Sequence, residues 1–127
     1  MSVRVLIADD DPMIRRTLAS ALGRVGFDVA TAADGGSALR LAEIATPDIA
    51  VVDLNMPRGG VEVVRELKSS HGAAMFVAVL TGEDCEETRS ACLAAGADAV
   101  LLKPLSAIEL RRRLLAAATA LQIPTAA

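Results

Sequence analysis

Asp9-Asp10-Asp11, Asp53, Thr81 and Lys103 are the residues of this 127-residue chain whose types could do chemistry together. Asp9, Asp10 and Asp53 form an acid set with no His or Cys among them, and an all-oxygen set suits a hard divalent ion, Mg²⁺ or Mn²⁺. Two like charges about 5 Å apart cost about 3 kcal/mol at an effective dielectric of about 20. Three ionised carboxylates therefore need a compensating cation or a raised pKa. A carboxylate nucleophile beside such an ion, with a lysine and a hydroxyl to neutralise the rest, is the equipment of phosphoryl transfer. Each piece alone has an ordinary reading. Asp9-Asp10-Asp11 is a solvated loop with a helix cap, Asp53-Leu54-Asn55-Met56-Pro57 a turn, Thr81-Gly82 a helix start, Lys103-Pro104 a loop. What favours chemistry is where the four pieces fall.

Five short apolar runs organise the chain: Val3–Ala8, Phe27–Thr31, Ile49–Val52, Ala74–Leu80 and Ala99–Leu102. Most are continuous rather than alternating, as in parallel strands buried on both faces. Helical periods lie between them. Ile14, Leu18, Leu22 and Val25 form one stripe with Arg15, Arg16 and Arg24 off it. Asp11-Pro12 reads as a helix cap followed by proline at the first helical position, and Gly26 as a left-handed stop. Asp34 or Ser37 opens a second helix, and a third spans about Gly60 to Ser70. A fourth starts near Glu83 and stops at Gly96. Ser106 and Glu109 form a capping box for a fifth, with Leu110, Leu114, Leu115 and Leu121 inward. Strand–helix alternation with short links predicts an α/β fold, (βα)₅, with right-handed crossovers and helices on both faces. The first run ends in the three acids, the third in Asp53, the fourth in Thr81 and the fifth in Lys103. In a parallel sheet those ends share one rim, where ligands of open α/β sheets bind. The second run ends without such a group, as an outer strand would.

Composition narrows the alternatives. With 53% hydrophobic residues, two Phe and no Trp or Tyr, the core is aliphatic and needs no staples. The net charge of −3 argues against nucleic acid or an anionic membrane. No apolar run approaches the roughly 20 residues of a membrane span, and the N-terminus lacks the longer apolar stretch of a signal peptide. Cys85 and Cys92, seven apart on one helix, sit about 10 Å from each other, too far for a disulfide. Free thiols point to a reducing, cytoplasmic setting.

Val5-Leu6-Ile7-Ala8-Asp9-Asp10-Asp11-Pro12, Val51-Val52-Asp53-Leu54-Asn55-Met56-Pro57, Leu80-Thr81-Gly82, Gly96-Ala97-Asp98 and Leu102-Lys103-Pro104 together resemble the receiver domains of two-component response regulators. The likeness spans residues 3 to 121 of a single domain, 1–127, whose tail, Thr119–Ala127, is expected to fray. It implies a flavodoxin-like three-layer sandwich with strand order 2-1-3-4-5. It implies Asp53 as phosphoacceptor, with Mg²⁺ or Mn²⁺ held by Asp10, Asp53 and the Asn55 backbone carbonyl directly and by Asp9 through water. Thr81 and Lys103 would each take a phosphoryl oxygen, and the Lys103–Pro104 bond would be cis. The donor would be a histidine kinase or a histidine phosphotransfer protein, docked near Ile14, Pro104 and Leu105. Slow self-hydrolysis, tuned at Asn55 and Glu83, would reset a switch that is otherwise no enzyme. The output would be a downstream protein or an output domain outside this sequence, with a homodimer through helix 4, strand 5 and helix 5 as one possibility.

Two departures stand out. Arg58-Gly59-Gly60 makes the loop after Pro57 one residue shorter than is usual in the family. Val100 occupies the place where the fifth strand usually has Tyr or Phe, so the large rotamer exchange that accompanies Thr movement has no partner here. A haloacid-dehalogenase-like phosphatase, with its nucleophile at Asp9, and a phosphate-independent binding module are the competing readings; the first needs more chain, the second conflicts with an intact acid, Thr and Lys set. Arg111-Arg112-Arg113 splays around its helix and reads as a solvated face or ion pairs rather than a nucleic-acid patch. His71 is expected in an exposed loop. Glu83, Asp84, Glu86 and Glu87 suit the positive end of helix 4. Met13, Met56 and Met75 are expected to fill the core.

Overall fold

Capping and punctuation residues set the helix limits, and the apolar runs set the strands. The structure, a computed structural model, describes residues 2–57 and 59–121. The strands are β1 (Arg4–Ala8), β2 (Asp28–Ala32), β3 (Ile49–Asp53), β4 (Phe76–Thr81) and β5 (Ala99–Leu102). The helices are α1 (Pro12–Gly23), α2 (Gly35–Ile44), α3 (Gly60–His71), α4 (Glu86–Ala94) and α5 (Ala107–Ala120), with a single 3₁₀ turn at Gly72–Ala74. Asp11 caps α1 by accepting the Met13 N–H at 2.9 Å, Asp34 caps α2 by accepting that of Ser37 at 2.8 Å, and Ser106 caps α5 by accepting that of Glu109 at 3.0 Å. Each satisfies a helix N–H that has no partner within the helix. Gly26 takes the left-handed conformation expected of it, with φ +90°.

The five strands are all parallel, in the order β2-β1-β3-β4-β5. β3, at the centre, is buried at every residue, whereas β2, at the edge, is mostly exposed. Two aliphatic layers cover the sheet. One is centred on Leu6, Val64, Leu67, Met75, Val77 and Val79, under α2, α3 and α4; the other on Ile7, Leu22, Ile49, Leu110 and Leu114, under α1 and α5. The alternation of side chains along each strand sends Leu6 to one layer and Ile7 to the other, which is why the runs carry no polar face. At the opposite rim from the acids, Asp98 Oδ2 accepts the Val77 N–H at 2.8 Å and lies 3.0 Å from Lys68 Nζ. This clamp ties α3 to the start of β4.

Several local expectations are corrected. α4 begins at Glu86, not near Glu83, because the Glu83 N–H turns back to Thr81 Oγ1 at 3.0 Å and the cap is Cys85. Cys85 is therefore the cap residue rather than a member of the helix that carries Cys92; its thiol is exposed and accepts the Thr88 N–H at 3.4 Å, while Cys92 is buried. α5 runs through Thr119 and Ala120, which were expected to fray; residues 122–127 of that tail lie outside the described residues, as does Arg58. His71 is the half-buried last residue of α3 rather than part of an exposed loop. Met56 and Met75 fill the core, but Met13 is 67% exposed, one position off the buried stripe of α1. Glu109 does not close a reciprocal box; its carboxylate pairs with Arg112 and Arg113.

Candidate functional site

β1 and β3 are hydrogen-bonded neighbours whose register pairs Ala8 with Val52. The next residue on each strand is an aspartate, so Asp9 and Asp53 emerge side by side. β3 and β4 pair Asp53 with Leu80, and β4 and β5 pair Thr81 with Leu102. Thr81 and Lys103 therefore stand at the same rim, joined by the Lys103 N–H to Thr81 carbonyl bond at 2.8 Å. Among the described residues, the buried polar or charged side chains are Asp9, Asp53 and Thr81, all at this rim. A fold that hides hydroxyl and carboxylate groups here and almost nowhere else has reserved the place for chemistry.

Asp9, Asp10 and Asp53 each bring a carboxylate oxygen within 4.8 Å of the others. Lys103 Nζ lies 3.0 Å from Asp53 Oδ1 and 3.7 Å from Asp9 Oδ2. Asp53 Oδ1 also accepts the Asn55 N–H at 3.2 Å, and Asp9 Oδ1 accepts the Asp11 N–H at 2.9 Å. Asp9 Oδ2 is buried with no hydrogen-bond partner. An orphaned buried carboxylate oxygen is costly, and it belongs here to a set of three acids facing one ammonium group. Such a set fits a hard divalent cation bound by oxygen. Burial holds the Asp9 carboxyl above its ordinary pKa of 3.8, with Asp53 and Asp10 adding to the rise while the Asp11 N–H and Lys103 oppose it. Burial alone would lower the Lys103 ammonium, but the hydrogen bond and charge of Asp53, with Asp9 and Asp10, raise it above 10.5.

The sequence-predicted residues thus converge: Asp9, Asp10, Asp53 and Lys103 by direct distance, Thr81 and Asn55 by strand register and backbone bonding. Ile14, Pro104 and Leu105 line one apolar groove of about 440 Å³ with Leu18, Leu80 and Leu110, and Lys103 lies at its edge. The Lys103–Pro104 peptide bond is cis, as expected. Val100 is half-buried against the α2–α4 layer. Two residues of the site escaped the sequence reading. Gly60 lies against the strand end that carries Asp53: a Cβ there would meet Leu54 Cα at 2.7 Å and the Asp53 carbonyl at 2.9 Å. Arg15 Nη1 donates to the Asp9 carbonyl at 2.7 Å. Its position off the apolar stripe of α1 marked it only as solvent-facing, and no spacing rule links it to a residue six positions back.

The family model for the response regulator receiver domain matches residues 5–115. The chain belongs to the response regulator receiver family. This receiver is 43% identical over 115 residues to the response regulator MprA of Mycobacterium ulcerans, a match covering 90% of this chain and 49% of that protein. It spans about half the length of the curated relatives it matches. A CheY-like receiver domain from Methanospirillum hungatei superimposes with a TM-score of 0.91 at 27% identity, over 96% of this chain and 98% of that one. The chemotaxis protein CheY4 of Vibrio cholerae gives 0.85 at 33% identity, over 91% and 98%. The receiver is thus a two-component signalling domain with the flavodoxin-like order expected from its sequence. Among the described residues no helix is long and apolar enough to cross a membrane.

Proposed function

We propose that this receiver is a phosphorylation switch that accepts a phosphoryl group on Asp53. The observation that carries the reading is the buried pair Asp9 and Asp53, with Asp10 beside them and Lys103 3.0 Å from Asp53. In the transfer, an Asp53 carboxylate oxygen attacks the phosphorus of a phosphohistidine. The P–N bond breaks, its electron pair stays on the imidazole, and an acyl phosphate forms. Asp9, Asp10, Asp53 and the Asn55 backbone carbonyl would hold Mg²⁺ or Mn²⁺, which supplies charge neutralisation for the phosphoryl oxygens. Lys103 neutralises a further oxygen, and the Thr81 hydroxyl donates to another. Attack of water at phosphorus releases inorganic phosphate and returns the free carboxylate, at a rate that Asn55 and Glu83 would tune. Turnover is slow, so the chain acts as a switch rather than an enzyme.

The donor is a histidine kinase or a histidine phosphotransfer protein. The groove lined by Ile14, Pro104 and Leu105 opens beside Lys103 and suits its docking. On the output side, Leu93 of α4 and Leu102 at the end of β5 are 47% and 40% exposed. They support a homodimer or a target on the α4–β5–α5 face. These 127 residues form one receiver domain, core about 3–121, working in the cytoplasm with its two thiols free.

Acetyl phosphate with Mg²⁺ tests the assignment. Label is expected on Asp53, dependent on the metal and absent from Asp53→Ala, whose circular dichroism stays that of the parent. Label mapped to Asp9, with rapid turnover of small phosphate esters, would instead establish the phosphatase reading.

A further inference from the structure

The Asp9 carbonyl lies one residue beyond the end of β1. The pairings of β1 with β2 and β3 stop at Ala8. The Asp9 N–H still reaches the Ala32 carbonyl at 3.0 Å, but the Asp9 C=O has passed the last rung of the ladder. Arg15, in the first turn of α1 and half-buried, fills the place: its Nη1 donates to that oxygen at 2.7 Å. Asp9, Asp10 and Asp11 all offer carboxylates within a few residues, yet Arg15 forms no ion pair with a described residue. It spends its guanidinium on a neutral carbonyl and leaves the acids free.

The three acids differ in what holds them. Asp9 Oδ1 is fixed by the Asp11 N–H, and Asp53 Oδ1 by Lys103 and the Asn55 N–H. The Asp10 carboxylate is exposed and makes no hydrogen bond to a described residue. The backbone therefore sets where its Cα–Cβ bond points, beginning with the Asp9–Asp10 peptide plane, and that plane carries the carbonyl held by Arg15.

We infer that Arg15 is a positioning residue of the acid cluster, clamping the Asp9–Asp10 peptide so that the Asp10 carboxylate faces Asp53 ready to bind a divalent cation. The inference rests on the metal-binding reading above. It makes a prediction of unusual sign. Removing a positive charge close to an acidic site should by Coulomb's law alone tighten cation binding. Loss of positioning should weaken it, by the roughly tenfold or more typical of groups that orient ligands from outside the coordination sphere.

Mn²⁺ binding followed by electron paramagnetic resonance, with Mg²⁺ competition, separates the two. Arg15→Met is expected to weaken Mn²⁺ binding about tenfold, and Arg15→Lys to recover part of the loss. Arg16→Met, which removes the same charge from the neighbouring exposed position, is expected to leave binding unchanged or slightly tighter. Thermal unfolding without metal checks that each variant is folded, and Arg15→Gln replaces Arg15→Met should the latter fail. Unchanged or tighter binding in a folded Arg15→Met or Arg15→Gln protein overturns the positioning role alone. No Mn²⁺ binding by the parent chain overturns the metal reading and this inference with it.

Discussion

At the scale of single residues, the site trades stability for readiness. Asp9 is buried with one oxygen unpartnered, and its carboxyl is held above 3.8 mainly by that burial. A folded-state pKa above the unfolded one means that the stability linked to Asp9 is fully present below pH 3.8 and is lost as pH rises through the higher folded value. At neutral pH the metal-free protein therefore carries a penalty. Asp9→Asn keeps an acceptor for the Asp11 N–H and removes the charge, so it is expected to stabilise the metal-free protein at neutral pH. Urea unfolding at pH 7 measures the gain, which should shrink towards pH 4 and on addition of Mg²⁺ to the parent. Lys103 runs the other way. Its pKa is raised by Asp53, so its contribution is complete below pH 10.5 and is lost above it. Lys103→Ala leaves Asp53 buried without its counter-charge. Phosphate uptake from acetyl phosphate is expected to persist, while phosphorylation no longer alters partner binding; a titration of phosphorylated variant with partner reads this directly.

At the scale of elements, the links between strand ends and helices decide how the side chains are presented. The register of β3 against β1 and β4 places Asp53 between Asp9 and Thr81. The following turn returns at once, with the Gly60 N–H on the Leu54 carbonyl at 3.4 Å, so that α3 starts against the strand end. Gly60→Ala forces a methyl to within 2.7 Å of Leu54 Cα and 2.9 Å of the Asp53 carbonyl. Both neighbours are backbone and yield little, so a loss of about 1–3 kcal/mol is expected, with weaker Mg²⁺ binding because Asp53 shifts. Thermal unfolding and a metal titration on the same sample test both parts. The link after β4 works through side chains instead. Thr81 Oγ1 accepts the Glu83 N–H at 3.0 Å, and Glu83 Oε2 accepts from Thr88 Oγ1, in the first turn of α4, at 2.8 Å. Thr81 is thereby joined to α4 without help from the β5 position, where Val100 stands in the place of the usual aromatic.

At the scale of the whole molecule, the sheet divides the aliphatic core into two layers. The α1–α5 side carries the groove beside Lys103, whereas α4 and β5 carry exposed Leu93 and Leu102. On the proposed reading the donor's groove and the output face would occupy different surfaces, with the acid rim between them. Beryllofluoride with Mg²⁺ is expected to shift the protein towards a dimer in sedimentation velocity. Leu93→Lys, which places a charge on that face, should weaken the dimer about tenfold, or 1.4 kcal/mol, and leave phosphorylation of Asp53 unchanged.

The sequence by itself determined the strands, the helix caps at Asp11 and Ser106, and the common rim, because these follow from local chemistry and periodicity. It also placed every acid, hydroxyl and ammonium of the site, since each directly follows or ends an apolar run and parallel pairing carries run ends to one edge. What only the tertiary structure decided depends on contacts between residues that no period connects. The unpartnered oxygen of Asp9, the reach of Arg15 to a carbonyl beyond the strand, the closeness of Gly60 to Leu54, the delayed start of α4 and the exposure of Met13 belong to this class. In each, the deciding neighbour is set by how a loop turns, and loop paths are fixed by packing rather than by pattern.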